Sequence, residues 1–408
     1  MMEYVDNNPE RNYIYITPFL SEVQRVKDCT SIHFMEPVNL GAGKQKSLKH
    51  LLADGCNVVA THSLFLGADG EIEELLQTGD YILILDEVLD VLQPFNQAFP
   101  ASKVKKGDIA LMLQKNMITV DEFGLVSWTD HGNYTDFVYN EVELLAKAGN
   151  LVCVDDALFL CRFNPNIFRL FRDVYILTYQ FSGSILRAYF DFYGIPYTSR
   201  SIVRDKKGYR IADFSDDSAE RQKLKDLVNI IGDDKLNEIG SRYNALSRSW
   251  YRNADAERKK SIKNNINNLL KNKLGSVSSD RVMWTCFKDD YSLLVGQGYK
   301  YIRRLTKEDN KLSEQNKAKL KCFVPCNARA SNDYADRDVL FYLLNRYPDP
   351  EICKFFGRKG VELDRDQYAL NEMLQWIWRS AIRNGKHIDV YIPSRRMRQL
   401  LTDWIEGK

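Results

Sequence analysis

The sequence predicts an α/β protein whose open parallel sheets are covered by helices, built in two successive lobes. Three observations lead there. Tyr81–Leu85 (YILIL) is wholly apolar, as a strand buried on both faces of a parallel sheet must be. Strand-like and helix-like runs alternate through the first half of the chain, the pattern of βαβ units. Strand-like runs then return in the second half, after a long charge-rich helical stretch. The 408 residues are enough for two domains, and 44% hydrophobic with 27% charged is ordinary for a soluble globular protein. A net charge of +2 excludes a polycation, so affinity for nucleic acid must come from local basic surfaces. No apolar run is long enough to cross a bilayer, and the early acidic residues do not read as a secretory start, so no membrane partner and a cytoplasmic location are expected. The eight cysteines are scattered and the five histidines isolated. Buried thiols in a reducing compartment are therefore expected, without a structural metal site.

In order along the first half, Asn12–Thr17 (NYIYIT) is a strand that ends in a Thr-Pro turn. A helix starts within 21–26, and Lys46–Ala53 is amphipathic and stops at Gly55. Cys56–Thr61 and Tyr81–Leu85 are the next strands, followed by Leu151–Val154 and Val174–Thr178. The boundary between lobes is placed at 182/183. From Ser218 to Leu274 the chain reads as helical, an insertion over about 218–278, with Arg258, Lys259, Lys260, Lys263, Lys271 and Lys273 crowded together. That crowd reads either as a solvated face or as a basic arm near a nucleic-acid channel. Val282–Phe287, Lys321–Val324 and Ile388–Ile392 are strand-like; Asp336–Arg346 and Gln367–Arg383 are helix-like.

Two places can carry chemistry. Asp86-Glu87 closes the apolar Tyr81 strand, and a carboxylate at the carboxyl edge of a parallel sheet sits where such sheets bind ligands. One carboxylate can hold Mg²⁺ while its neighbour orients and deprotonates water; a plain strand-to-helix turn with Asp as cap is the alternative. Gln375, Arg379 and Arg383 recur at spacing four, one helical face bearing planar donor forks suited to phosphoryl groups. Among the aromatics, Tyr179, Phe181, Trp250 and Tyr251 are candidates to stack on bases, though aromatic side chains are more often core.

The segments Ile16-Thr17-Pro18-Phe19, Ala60-Thr61-His62-Ser63, Leu85-Asp86-Glu87, Leu177-Thr178-Tyr179, Asn327-Ala328-Arg329-Ala330 and Gln375 to Arg383 occur in that order. The series resembles superfamily 2 helicases of the DEAD/DEAH type, in particular helicase-like proteins of bacteriophages. The resemblance implies two RecA-like lobes, 1–182 and 183–408, ATP and Mg²⁺ as cofactors, and single-stranded or forked DNA as partner. By position, it implies that Thr17, Pro18, Thr61 and His62 touch the nucleic-acid backbone, as do Asn327 and Arg329 in the fifth motif. Asp86 and Glu87 match the Walker B pair, with Asp86 as the metal ligand and Glu87 as the base. Thr178 and Tyr179 lie where the family couples hydrolysis to strand movement. Gln375, Arg379 and Arg383 match the sixth motif, with Gln375 near the nucleotide and either arginine as the finger. Trp378 stands where the family has Gly, and the second Arg comes one residue late.

The family also places a phosphate loop, G-x-x-x-x-G-K followed by Thr or Ser, ahead of the Thr17-Pro18 motif. Here only Met1 to Arg11 precedes that strand, with no Gly and no Lys. The segment Gly41 to Ser47 has the wrong glycine spacing, puts Gln45 in place of the metal-binding hydroxyl, and follows the Thr-Pro motif. It reads as a turn before a helix. The first sheet is therefore expected to show a gap or unpaired edge where the missing strand belongs. A truncated frame, a loop supplied by a separate segment, or lost hydrolysis would each account for it. The sequence thus predicts an ATP-dependent helicase or translocase whose hydrolysis is weak in this chain alone. A helicase-like binding module without hydrolysis is the alternative, and a packaging-motor ATPase ranks last.

Overall fold

The structure is a computed structural model describing residues 1–408 except 40, 42, 130–136, 207, 216–217, 233 and 329–332. By packing, the chain forms two units: Met1–Phe214 with Pro348–Asp364, and Ser215–Tyr347 with Arg365–Lys408.

The first unit is organised by a four-stranded, all-parallel sheet. Its strands are β1 (Asn12–Thr17), β2 (Val58–Thr61), β3 (Tyr81–Asp86) and β4 (Asp173–Leu177), in the order β2-β1-β3-β4. Strand alternation sends Tyr13, Tyr15, Ile82 and Ile84 to one face, where they pack on Val23 and Val26 of the Leu20–Cys29 helix and on Phe34. Leu83 and Leu85 bury the other face. Each such side chain contributes about 1.5–3 kcal/mol by burial, which is why these wholly apolar runs settle at the centre of the sheet.

β3 pairs with β1 on one side and with β4 on the other, in register from Ile82↔Asp173 to Asp86↔Leu177, and β2 and β4 are the edges of the sheet. One expectation fails here: Leu151–Val154 is not part of this sheet. It pairs antiparallel with Leu158–Arg162, and Leu92–Pro94 completes that small sheet. The cause is local. Asp155 and Asp156 both take positive φ (52° and 50°), and the Ala157 N–H closes on the Val154 carbonyl at 3.1 Å, a hairpin turn of the kind whose twist matches its strands.

The second unit holds another four-stranded parallel sheet, β5 (Val228–Ile230), β6 (Val282–Thr285), β7 (Val339–Tyr342) and β8 (Ile388–Tyr391), in the order β5-β8-β7-β6. Where a helix is expected over Asp336–Arg346, Val339–Tyr342 is instead β7, one of the two inner strands. Its apolar run is short and fully buried, and periodicity cannot separate such a run from a buried helix. Lys321–Val324 makes only isolated bridges, Trp284↔Phe323 and Tyr301↔Lys321. Between 218 and 273 the chain is mostly helical, with β5 interposed ahead of the Ala256–Asn268 helix.

Residues 348–364 leave the second unit and pack in the first. Phe355 lies 4.5 Å from Phe192 between ring centroids, and Lys354 pairs with Asp155 at 2.9 Å. The two ends of this excursion are pinned together inside the second unit. The buried Arg396 guanidinium donates to the carbonyls of Arg346 and Arg365, both at 2.8 Å, to Asn345 Oδ1 and to the Asp366 carboxylate.

Candidate functional site

Parallel strands in register bring their ends together. Thr17 is paired with Thr61, Ile16 with Leu85, and Asp86 with Leu177. Thr17, Thr61, Asp86 and Thr178 therefore share the carboxyl edge of the first sheet, the place where open α/β sheets bind ligands. The His62 ring donates through Nε2 to the Asp86 carbonyl at 3.0 Å and ties two of these strand ends together.

Asp86 is the electrostatic centre. Its Oδ2 accepts from Arg25 Nη2 at 3.2 Å and from the Tyr15 hydroxyl at 3.4 Å. Burial pushes the Asp86 carboxyl above its ordinary range, and the Arg25 guanidinium pulls it part of the way back. Burial also raises the Tyr15 phenol, with the Asp86 charge adding to the effect. Arg25 is held in turn by Glu22 on the same helix. Sequence reasoning missed Arg25 and Tyr15. The Glu22–Arg25 spacing was visible, but the partner 61 residues away was not. Glu87 sits at φ 70°, a left-handed conformation costing a non-glycine residue about 1–3 kcal/mol. Its N–H donates to the Leu177 carbonyl at 3.0 Å, which continues the β3–β4 ladder through the turn.

The hydroxyl-bearing residues of the edge differ. Thr17 is fully buried and its Oγ1 has no hydrogen-bond partner among the described residues. Pro18, which follows it, is half-buried. Thr61 Oγ1 lies 3.1 Å from Ser63 Oγ. Thr178 Oγ1 donates to the Tyr179 carbonyl at 3.4 Å, and Tyr179 is 43% exposed. Tyr251 does not stack on anything from solvent: it is a core residue whose hydroxyl donates to the Leu343 carbonyl. Gly41 and Gly43 both donate their N–H groups to Asn39 Oδ1 at 3.0 Å, and Gly43 caps the Lys44–Ala53 helix. Gly41 and Gly43 thus spend their amides on Asn39 ahead of that helix.

In the second unit the three sixth-motif residues do not share one helix. The helix carrying Gln375 is assigned to Arg365–Ile377. Its last turn tightens as Arg379 and Ser380 donate to the carbonyls three residues back, and the Ser380 hydroxyl takes the Ile377 carbonyl as well. Ser380 is extended, and the Ala381 N–H leaves the helix for the Arg337 carbonyl at 2.9 Å. Gln375 consequently bonds to Asn371, Arg379 is 7% exposed, and Arg383 is exposed on the short Ala381–Asn384 turn. Trp376 anchors the helix, fully buried, through Nε1 to the Val324 carbonyl at 3.0 Å. Asn327 lies exposed in a turn; Arg329 and Ala330 lie outside the described residues.

Two family models match the chain: a YonV C-terminal Rossmann-like domain over residues 222–405 and a YonV middle domain over 100–161. The SPbeta prophage-derived uncharacterized protein YonV of Bacillus subtilis (strain 168) is 36% identical over 410 residues, 97% of this chain and 92% of that protein. A solved structure titled XPD_APO aligns with 99% of this chain and 92% of its own at 12% identity, with a TM-score of 0.50. Another, titled XPD_Helicase, covers 96% and 90% at a TM-score of 0.46 and 12% identity. At that identity the first structural likeness shows the fold alone: α/β, with helix-flanked parallel sheets.

Proposed function

The chain belongs to the YonV family, and from that premise we propose that it is a helicase-type protein of bacteriophage kind that grips single-stranded or forked DNA and moves on it with a magnesium nucleoside triphosphate. One observation carries this reading: Thr17, Thr61, His62, Asp86, Glu87 and Thr178 converge on one carboxyl edge of one parallel sheet.

For Mg²⁺ the donor set is suitable in part. Asp86 Oδ1 has no protein bond among the described residues, whereas Oδ2 is held by Arg25 and Tyr15. Asp86 would hold the ion, which when bound neutralises phosphate charge, and Glu87 would orient water beside it. For the triphosphate chain the Gly41–Ser47 segment does not serve, because its Gly amides are bonded to Asn39. We therefore assign the phosphate loop to a separate segment. Of the sixth-motif arginines we assign Arg383, the exposed one, to phosphate charge, with Arg379 as a positioning residue.

A second reading, a binding module without hydrolysis, is favoured by the Arg25–Asp86 bond, since a cation already occupies the proposed metal carboxylate. Phosphate release with and without single-stranded DNA, alongside DNA-binding anisotropy with and without a non-hydrolysable ATP analogue, separates the two. Binding that responds to the analogue, with a response lost in Glu87→Gln, supports the motor reading. Binding indifferent to nucleotide leaves the module. A chain that binds no DNA refutes both.

A further inference from the structure

The charge of this chain is unevenly spread. Between 248 and 273 there are eight Lys and Arg against two Asp and Glu, while the whole chain carries only +2. Part of this excess faces one groove. The Ala256–Asn268 helix buries Ile262 and Ile266 and turns a different face, Lys259, Lys260, Lys263 and Asn264, to an open groove of about 510 Å³. Its apolar lining comes from Ala254, Ala256 and Leu293, the last 52% exposed.

Only the deepest lysine is neutralised. Lys259 pairs with Asp290 at 3.1 Å, both side chains being mostly buried, so this pair builds the groove wall. Lys260 and Lys263 make no ion pair among the described residues, and the two acidic residues of the stretch, Asp255 and Glu257, do not line the groove. Asp255 is used instead to cap the helix, accepting from the Arg258 N–H. Like charges brought together on one helical face without a counter-charge repel, and an anion relieves that repulsion. Two ammonium groups without an ion pair among the described residues, an amide and an exposed leucine in one groove match an alternating ligand: anionic phosphodiesters joined by apolar sugar and base surfaces.

We infer that this groove is a nucleic-acid backbone site in the second unit, with Lys260 and Lys263 as phosphate contacts, Asn264 as a polar donor and Leu293 as the apolar lip. It rests on the reading that the chain binds DNA and adds a contact outside all six family-like segments.

The test is fluorescence anisotropy of a labelled single-stranded oligonucleotide across a salt series, with the full chain. In Lys260→Glu/Lys263→Glu the affinity falls roughly tenfold and the slope of log affinity against log salt shrinks by about 1.4, two phosphate contacts at about 0.7 each. Lys260→Arg/Lys263→Arg retains binding. Lys103→Glu/Lys115→Glu, the same charge change on exposed residues of the first unit, leaves the slope unaltered. A wild type that binds DNA with the slope of the Glu variant overturns the site alone. Equal loss in the Lys103/Lys115 control reduces the effect to bulk charge and also overturns it. So does displacement of the oligonucleotide by inorganic phosphate at matched ionic strength, which would assign the groove to a small anion. A wild type that binds no DNA removes the functional reading and this site together.

Discussion

Replacing Thr17 by valine should make the first unit more stable and the protein a poorer DNA binder. The Thr17 side chain is fully buried and its hydroxyl has no partner among the described residues. A buried hydroxyl left unpaired costs about 1–3 kcal/mol, and valine keeps the branched shape while removing it. At a urea m-value of roughly 2 kcal/mol/M, the gain moves the unfolding midpoint up by about 0.5–1.5 M. Because two units need not unfold together, the readout is amide hydrogen exchange along Tyr13–Thr17, which is local to β1. On the proposed reading, a hydroxyl kept at this expense on the carboxyl edge of the sheet serves a ligand. The same variant should therefore lose about fivefold in affinity for single-stranded DNA, equivalent to one hydrogen bond of about 1 kcal/mol. Destabilisation by valine would refute the reasoning, since it would show that the hydroxyl is satisfied, for instance by a bound water. Stabilisation with unchanged DNA affinity would refute the functional half alone.

Three further outcomes are expected. Arg25→Met removes the cation beside Asp86, so the carboxyl rises further above its ordinary value. A raised folded value means that this group's contribution to stability is complete below the unfolded carboxylate pKa and is lost as pH rises through the folded one. Urea midpoints between about pH 4 and 8 should fall more steeply in the variant than in the wild type, and parallel profiles would exclude the coupling. Arg383→Ala should leave stability within about 0.5 kcal/mol, as an exposed substitution does, while abolishing any nucleotide effect on DNA binding; a nucleotide response of full size would return the role to Arg379. Arg396→Met strips several buried acceptors at the neck of the 348–364 excursion and should cost about 2–4 kcal/mol, read by the tryptophan fluorescence of the second unit, with faster proteolysis within 348–364. Proteolysis at the wild-type rate would show that the neck needs no pin.

Local sequence determined the pieces that local physics governs. The wholly apolar Tyr81–Leu85 run had to be a doubly buried strand, and the Asn12–Thr17 strand was legible to its last residue because a Thr-Pro turn ends it. Lys46–Ala53 was legible as an amphipathic helix closed by Gly55, and the helix starts two residues earlier, at Lys44. The grouping of Thr17, Thr61 and Asp86 at one edge follows once such strands lie parallel, since register aligns their ends. Tertiary structure decided the rest. Val339–Tyr342 is too short for periodicity to identify, and only its place between two neighbouring strands makes it β. Gln375, Arg379 and Arg383 keep helical spacing in the sequence, yet a carbonyl from Arg337 draws Ala381 out of the helix and leaves one arginine buried and the other exposed. Arg25 on Asp86, and the excursion of 348–364 into the first unit, join residues far apart in the chain. Such contacts carry no local signal, because their energy exists only after the intervening chain has closed its loops.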